Sequence, residues 1–294
     1  MFTAIIINPI SGGVSPAAGR ARAQLARAVV DRHGDPAEVF ITERAGHARE
    51  LAKAAVGRRA RLVLAWGGDG TINEVASGLA FDEVPMGIVP AGSGNGLALE
   101  LGVSLSPEQA IADALAAEAR PMDLGEVNDR LFANIAGIGF DAHVASQFNA
   151  PGNRQRGFAK YAAITFRSLW EYVADDYRIT TDHGRFDAHA VLVTIANSAQ
   201  FGNGARIAPG AKVDDGLLDL VVVGERSRLR TCLQLPRLFN GTIGQTAGCT
   251  MSRIRHATIE SDHPMSFHVD GEPVSGGTSL HVRVHPGALR VAVK

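Results

Sequence analysis

The stretch that decides the fold is LVLAWGGDGTINEVASGL, Leu62 to Leu79. An apolar run suited to a buried strand stops at Gly67-Gly68, Asp69 and Gly70 follow, and helix-patterned sequence resumes at once. Strand, glycine turn, helix is the unit from which a parallel sheet is wound. Thr71 followed by Glu74 matches a capping box, which predicts a helix beginning just after Thr71 with its unpaired amides facing the turn. A helix N-terminus at the carboxyl end of a parallel strand favours anions, and glycine lets a phosphate approach the backbone. Asp69 would repel a bare phosphate, so its presence argues for a divalent cation between the two, or for a role in handling a proton. A nucleoside triphosphate with magnesium meets that condition.

Working outward, TAIIINP, AEVFIT, RLVLAW and MGIVPAG read as buried strands. AAGRARAQLARAVVDRHG, closed by Gly34, and GHARELAKAAVG read as helices between them. Ser106, Pro107 and Gln109 supply a cap, an N1 proline and a capping-box partner for another helix. The texture changes after RPMDLG. Turn-separated, strand-like segments such as RLFANIAGIGF, AHAVLVTIANS, GLLDLVVVGE and SLHVRVHPGALRVAV follow, with one helical insert, FAKYAAITFRSLWEYVADD. The expected architecture is an α/β nucleotide-binding domain with a Rossmann-like parallel sheet over residues 1–122, then a mainly antiparallel β-sandwich domain over 123–294.

Two further glycine-rich turns, NPISGG after the first strand and PAGSGNG after the fourth, would reach the same sheet edge as Gly67 to Gly70. For one such turn, a tight βα connection is the better explanation. Three after parallel strands, one holding Asp69, favour a shared phosphate-binding crevice. There is no G-x-x-x-x-G-K-[ST] loop and no protein-kinase motif set. GIGFDA, Gly137 to Ala142, matches G-x-G-x-x-A, but the segment after it reads as a poor helix with no βαβ unit beyond, so the match is taken as chance.

Composition narrows the class. The chain of 294 residues, 46% hydrophobic and 20% charged, can bury the cores of two domains. Its net charge of −1 provides no global attraction to nucleic acid or to an anionic surface, so any such attraction must come from a local patch, and no nucleic-acid partner is expected. Cys232 and Cys249 lie in no metal-ligand or redox spacing, as in a reducing compartment. The start lacks the basic and apolar regions of a signal peptide, and no apolar run approaches the roughly 20 residues that span a bilayer. The expected location is cytoplasmic.

Taken together, NPISGG, GGDGTINEV, VPAGSGNGLA, DLGEVNDRLFANIAGIGFDA, DDGLLDLVVV and VDGEPV resemble the diacylglycerol kinase catalytic family, which includes sphingosine and ceramide kinases. The segments occur in the family's order over nearly the whole chain. NAD kinases share G-G-D-G and a related architecture, but MGIVPAGSGNGLALELGV is unlike their segment after that helix.

The resemblance implies a lipid kinase using ATP and magnesium, with ATP between the two domains. Asn8, Pro9, Ser11 and Gly12 would line the phosphate side, and Thr42 would touch the nucleotide. Gly67, Gly68, Asp69, Gly70, Thr71 and Asn73 would hold the phosphates, and Ser93 stands where the family commonly has threonine. Glu272 matches the family's proton acceptor, with Asp69 as the other catalytic residue. By its residues alone, Glu272 would be read as an exposed acid in an Asp-Gly hairpin turn. Lys212, Asp215 and Leu217 match a structural magnesium site of bacterial members, although a plain β-turn explains Asp215-Gly216 nearly as well. Asp123 and Asp141 are candidates for metal positioning and headgroup recognition, or for turn and capping roles. Asn95-Gly96 replaces an Asn-Asp pair common in bacterial diacylglycerol kinases and leaves the acceptor lipid open.

A lipid acceptor requires peripheral contact with the inner membrane face. Arg154, Arg156, Lys160 and Arg167, interleaved with Phe158, Phe166, Trp170 and Tyr172, suit an interface, and ERSRLRTCLQLPRLF is a second such stretch. Helices packing their aromatic side on the sandwich explain the pattern equally well. Homodimer formation is left open. The alternative of a different class is a non-catalytic lipid or nucleotide sensor on the same scaffold; the presence of both Asp69 and Glu272 favours the enzyme, since a sensor would not need the base.

Overall fold

In the computed structural model, which describes residues 1–13, 17–149 and 158–294, the N-terminal apolar runs form parallel strands buried on both faces. The elements are β1 (Thr3–Ile7), α1 (Ala17–Arg32), β2 (Ala37–Ile41), α2 (His47–Gly57), β3 (Leu62–Gly67) and α3 (Asp69–Leu79). β4 (Met86–Pro90), α4 (Gly96–Glu100) and α5 (Pro107–Ala116) follow. Strand order is β4-β3-β1-β2, every pair parallel. Continuous apolar strands need cover on both sides, and the βα connections supply it. Ile5, Ile7, Leu62, Leu64, Trp66 and Val89 pack on one face against Val29 and Val30 of α1 and Ile111 of α5.

The chain divides into two compact units, Met1–Met122 with Gly287–Lys294, and Asp123–Pro286. The chain end, read above with the second domain, belongs to the first. Val291 pairs in parallel with Met86, and Lys294 Nζ lies 2.6 Å from Asp113.

The second unit takes up β5 (Ala119–Val127) and continues with β6 (Arg130–Phe132), β7 (Ile135–Gly139), α6 (Phe140–Asn149) and α7 (Phe158–Glu171). Then come β8 (Asp175–Thr181), β9 (Gly184–Ala196), β10 (Leu218–Gly224), α8 (Arg228–Gln234) and α9 (Pro236–Phe239). β11 (Cys249–Ile254), β12 (His256–Glu260), β13 (Ser266–Val269), β14 (Glu272–Ser275) and β15 (Ser279–Ala292) complete the chain. The ladders among β7–β14, with the β5–β6 and β12–β15 pairs, are antiparallel. β9 joins two parts of the ladder: Gly184–Ala190 pairs with β8, while Leu192–Ala196 pairs with β7. Phe132, Phe267, Ile179, Val193 and Ile259 fill the sandwich-like core, each contributing about 1.5–3 kcal/mol of burial.

Three local expectations are corrected. α3 begins at Asp69 with Gly68 as its cap residue and no side-chain cap, so Thr71 is inside the helix. Glu74 instead accepts the amides of Gly46 (2.8 Å) and Ala48 (3.0 Å) and closes the N-terminus of α2. Ser106 likewise makes no side-chain cap, and Gln109 donates to Asp113 within α5. The segment after GIGFDA, 143–157, reads as a poor helix, yet its part up to Asn149 lies in α6, because packing buries Ala142, Val144 and Ala145 and tertiary burial outweighs weak local preference; residues 150–157 lie outside the described residues. GIGFDA still makes no dinucleotide unit, since β7 pairs antiparallel with β9 and β13.

A carboxylate that accepts two amides is worth more than a neutral cap, so Glu74→Gln should cost about 1–2 kcal/mol in urea denaturation. Hydrogen exchange should then rise in His47–Gly57 before Asp69–Leu79. The reverse order would return Glu74 to its own helix.

Candidate functional site

Three turns of the first unit come together at the strand ends. At Gly12, φ is +75° and a Cβ would stand 2.8 Å from the Ala91 carbonyl oxygen. At Gly92, a Cβ would stand 2.8 Å from Gly68 Cα. Each position therefore needs glycine for backbone to meet backbone. Asp69 Oδ1 accepts the Gly96 amide at 2.8 Å and ties the turn after β3 to the turn after β4. Asn95, at φ +48°, accepts the Gly92 amide at 2.7 Å and donates to the Gly92 carbonyl at 3.0 Å, which closes that turn on itself.

The turn after β1 is held by side chains. Asn8 Nδ2 donates to Thr71 Oγ1 at 3.0 Å, linking this turn to the first turn of α3. Ser11 Oγ donates to the Asn8 carbonyl at 3.0 Å. Arg22 of α1 donates to the Asn8 carbonyl, Ser11 Oγ and the Ser11 carbonyl at 2.8–2.9 Å, with its guanidinium 5.9 Å from the centre of the Trp66 ring. Burial lowers the Arg22 pKa from the ordinary guanidinium value. Pro9 meets α1 at Gly19, and the Thr42 amide donates to the Ile7 carbonyl at the end of the sheet. Gly70 and Ser93 are exposed, whereas Thr71 and Asn73 are buried. The arrangement offers an uncapped helix N-terminus, glycine backbone and a guanidinium, which suit the phosphates of a nucleotide. Sequence reading missed Arg22: an arginine in a helix with Arg20 and Arg27 around it reads as a solvated charge.

Magnesium fits only in company. Among the described residues no group of three or more His, Cys, Asp or Glu could hold a metal ion. Asp69 is one carboxylate, and magnesium commonly binds one or two carboxylates together with phosphate oxygens. In the loop Lys212 to Leu217, Asp215 Oδ1 accepts the Leu217 amide at 3.1 Å, and Arg253 Nη1 lies 4.0 Å from Asp215 Oδ2. Carbonyl and carboxylate oxygens suit a hard cation there, but Arg253 already provides positive charge.

The other expected residues lie in the second unit. Asp123 is buried, accepts the Gly216 amide at 2.6 Å and, through its own amide, bonds the Val213 carbonyl at 2.7 Å. It thus supports the loop that holds Asp215. Asp141, 7% exposed, stands among the Ala142 amide (2.8 Å), Thr194 Oγ1 (3.4 Å) and His268 Nε2 (3.3 Å). Glu272 is exposed at the first position of β14, after a two-residue turn in which Asp270 and Gly271 have φ of +48° and +84°. Its carboxylate has no hydrogen-bond or ionic partner among the described residues.

Residues 3–127 match the family model described as the diacylglycerol kinase catalytic domain, and residues 134–293 match the YegS C-terminal NAD kinase beta sandwich-like domain. A Chromohalobacter salexigens protein named "Probable lipid kinase YegS-like" is 33% identical over 83% of this chain and 78% of its own length. The chain belongs to the diacylglycerol kinase catalytic family. It is a lipid kinase. A Pseudomonas aeruginosa PAO1 protein of the same name is 32% identical over 93% of this chain and 90% of its own length. In fold, a crystal structure of a diacylglycerol kinase from Bacillus anthracis str. Sterne aligns over 100% of this chain and 97% of its own with TM-score 0.74 at 20% identity. Another solved structure from that strain covers 100% of this chain and 95% of its own with TM-score 0.83 at 21% identity.

Arg22 fixes the turn after β1 through charge-assisted bonds of about 1.5–3 kcal/mol each. Arg22→Ala should raise the KM for ATP about tenfold in initial-rate measurements while kcat changes less than about threefold. An unchanged KM would remove the guanidinium from the nucleotide site.

Proposed function

We propose that this lipid kinase transfers the γ-phosphoryl group of ATP, with magnesium, to the hydroxyl of a diacylglycerol-like or sphingoid lipid. The observation that carries the reading is the uncapped start of α3, ringed by the turns after β1, β3 and β4, of which Asp69 ties the last two together and Asn8 ties the first to Thr71. In this assignment Asn8, Ser11, Gly12 and Gly67 to Asn73 grip the phosphates, with Pro9, Thr42 and Ser93 at their margin. Magnesium, held by Asp69 and phosphate oxygens, would neutralise phosphate charge. Glu272 accepts the proton of the lipid hydroxyl as its oxygen bonds to phosphorus and ADP leaves, a role worth about 10²–10⁴ in rate. Its exposure, with no competing partner among the described residues, leaves its carboxylate able to accept that proton. Asp123 and Asp141 act as supports, in keeping with their buried partners. The loop Lys212 to Leu217 would take a second, structural magnesium ion.

Contact with an anionic inner leaflet completes the proposal. No helix among the described residues is long and apolar enough to cross a membrane. Arg154 and Arg156 lie outside the described residues, while Phe158 and Lys160 begin α7. Phe166 is 55% exposed and Trp170 46%, and Arg228 of α8 lies 6.0 Å from the centre of the Trp170 ring. Leu233 of α8 is 71% exposed. Tyr172 instead turns inward onto Phe140, with ring centres 5.7 Å apart, so the docking role passes to α7 and α8 without it. Arg167 pairs with Glu171 at 3.2 Å and adds little net charge.

Purified protein with labelled ATP and magnesium in mixed micelles should label one of diacylglycerol, monoacylglycerol, sphingosine or ceramide. Label on none of them counts against the reading, and label on NAD would replace it. Asp69→Asn should weaken magnesium-nucleotide binding, whereas Glu272→Gln should leave ATP affinity within about twofold and lower kcat by 10²-fold or more. Equal loss of ATP affinity in both would contradict the division of roles.

For docking, replacing Trp170 and Leu233 with Ser and Arg228 with Glu should abolish sedimentation with vesicles containing anionic lipid. Raised salt should weaken wild-type binding, since each cation near the surface contributes about 1 kcal/mol. Unchanged sedimentation would place the docking face elsewhere.

A further inference from the structure

The hairpin that carries Glu272 is clamped from below by groups that the proposed chemistry does not use. Asp270 accepts the amides of Ala133 (2.8 Å), Asn134 (2.9 Å) and Ile135 (2.9 Å), and its own amide donates to the Ile135 carbonyl at 2.8 Å. Asn149, at the end of α6, donates to the Gly271 carbonyl at 3.0 Å. The Gly271 amide donates to His268 Nδ1 at 3.2 Å. A ring nitrogen that accepts an amide carries no proton, so the neutral tautomer has its proton on Nε2. Nε2 faces Asp141 Oδ2 at 3.3 Å, with both side chains at 7% exposure or less. A buried carboxylate beside an imidazole selects the tautomer and orients the ring. Room for the pair is made at Gly137 in β7, where any Cβ would overlap the Asp141 carboxylate. β7 and β13 are neighbouring strands, so this space lies beneath the strand that ends at the turn.

We propose that Asp141 and His268 form a positioning pair that sets the Glu272 carboxylate through the Gly271 amide. The inference rests on Glu272 as the proton acceptor. Asp141 fixes the His268 ring, His268 holds the amide of the residue before Glu272, and Asp270 fixes the other side of the turn. A loop displaced by about 1 Å can cost 10²-fold in turnover when a proton acceptor is misplaced, with little effect on binding elsewhere. The nucleotide groups belong to the other unit, so ATP affinity is the internal control.

The test compares His268→Leu, His268→Asn, Asp141→Asn, Glu272→Gln and the double variant His268→Leu with Glu272→Gln in the full chain. Readouts are kcat, KM for ATP and thermal midpoint, with the acceptor found in the micelle assay. His268→Leu should lower kcat about 10–100-fold with the KM for ATP within about twofold. His268→Asn, which keeps an acceptor near the Nδ1 position, should recover turnover to within about fivefold of wild type. The double variant should be no slower than Glu272→Gln alone, because His268 acts through Glu272. Should His268→Leu not fold, Asp141→Asn stands in for it, with kcat loss and unchanged KM for ATP expected. Multiplicative losses in the double variant, or wild-type kcat in both His268→Leu and Asp141→Asn, would overturn the pair. Wild-type kcat in Glu272→Gln would overturn the proton-acceptor reading itself, a different result.

Discussion

The bond from the Gly96 amide to the Asp69 carboxylate is the constraint on which the first unit's site depends. It joins two turns that lie far apart in sequence, and it draws Gly92 against Gly68 with no side chain between. A carboxylate placed there lowers the cost of gathering amide donors, because the donors have a partner before any ligand arrives. The same carboxylate stands at the start of α3, where the helix dipole favours negative charge. The group that shapes the site is thus the one proposed to meet the magnesium ion.

Around that bond the remaining polar groups form a continuous set. Asn8 reaches Thr71, Ser11 reaches Asn8, and Arg22 reaches both Asn8 and Ser11. Each turn is held by a neighbour and not by its own short-range hydrogen bonds alone. Turns held in this way reach a ligand with their amides already oriented, which removes part of the ordering cost of binding. The second unit applies the same rule to its hairpin: Asp270, Asn149 and His268 satisfy the backbone of the turn, and the Glu272 side chain faces solvent.

Much of this was legible from residue order. Continuous apolar runs interrupted by glycine announced parallel strands, and alternating short strands announced the antiparallel unit. Asp69 could be singled out because an acid is chemically out of place in a phosphate-binding turn. Glu272 could not: an acid after Asp-Gly is what any exposed hairpin offers, and only the resemblance to lipid kinases raised it above that. Arg22 and His268 gave no local signal, because their partners are defined by approach in space.

The sequence by itself determined the parallel strands and their helices, the three glycine turns and the family, since each rests on short-range periodicity and on residue types at close spacing. Tertiary structure alone decided which donor meets which acceptor. Glu74 satisfies the start of α2 and leaves its own helix uncapped, because in the folded unit the amides of Gly46 and Ala48 lie within its reach. α6 forms on a weak local pattern because Ala142, Val144 and Ala145 find cover. Gly287–Lys294 joins the first unit because Val291 finds an open strand edge at Met86. A buried polar group takes whichever partner packing brings within about 3 Å, and packing is a property of the whole chain.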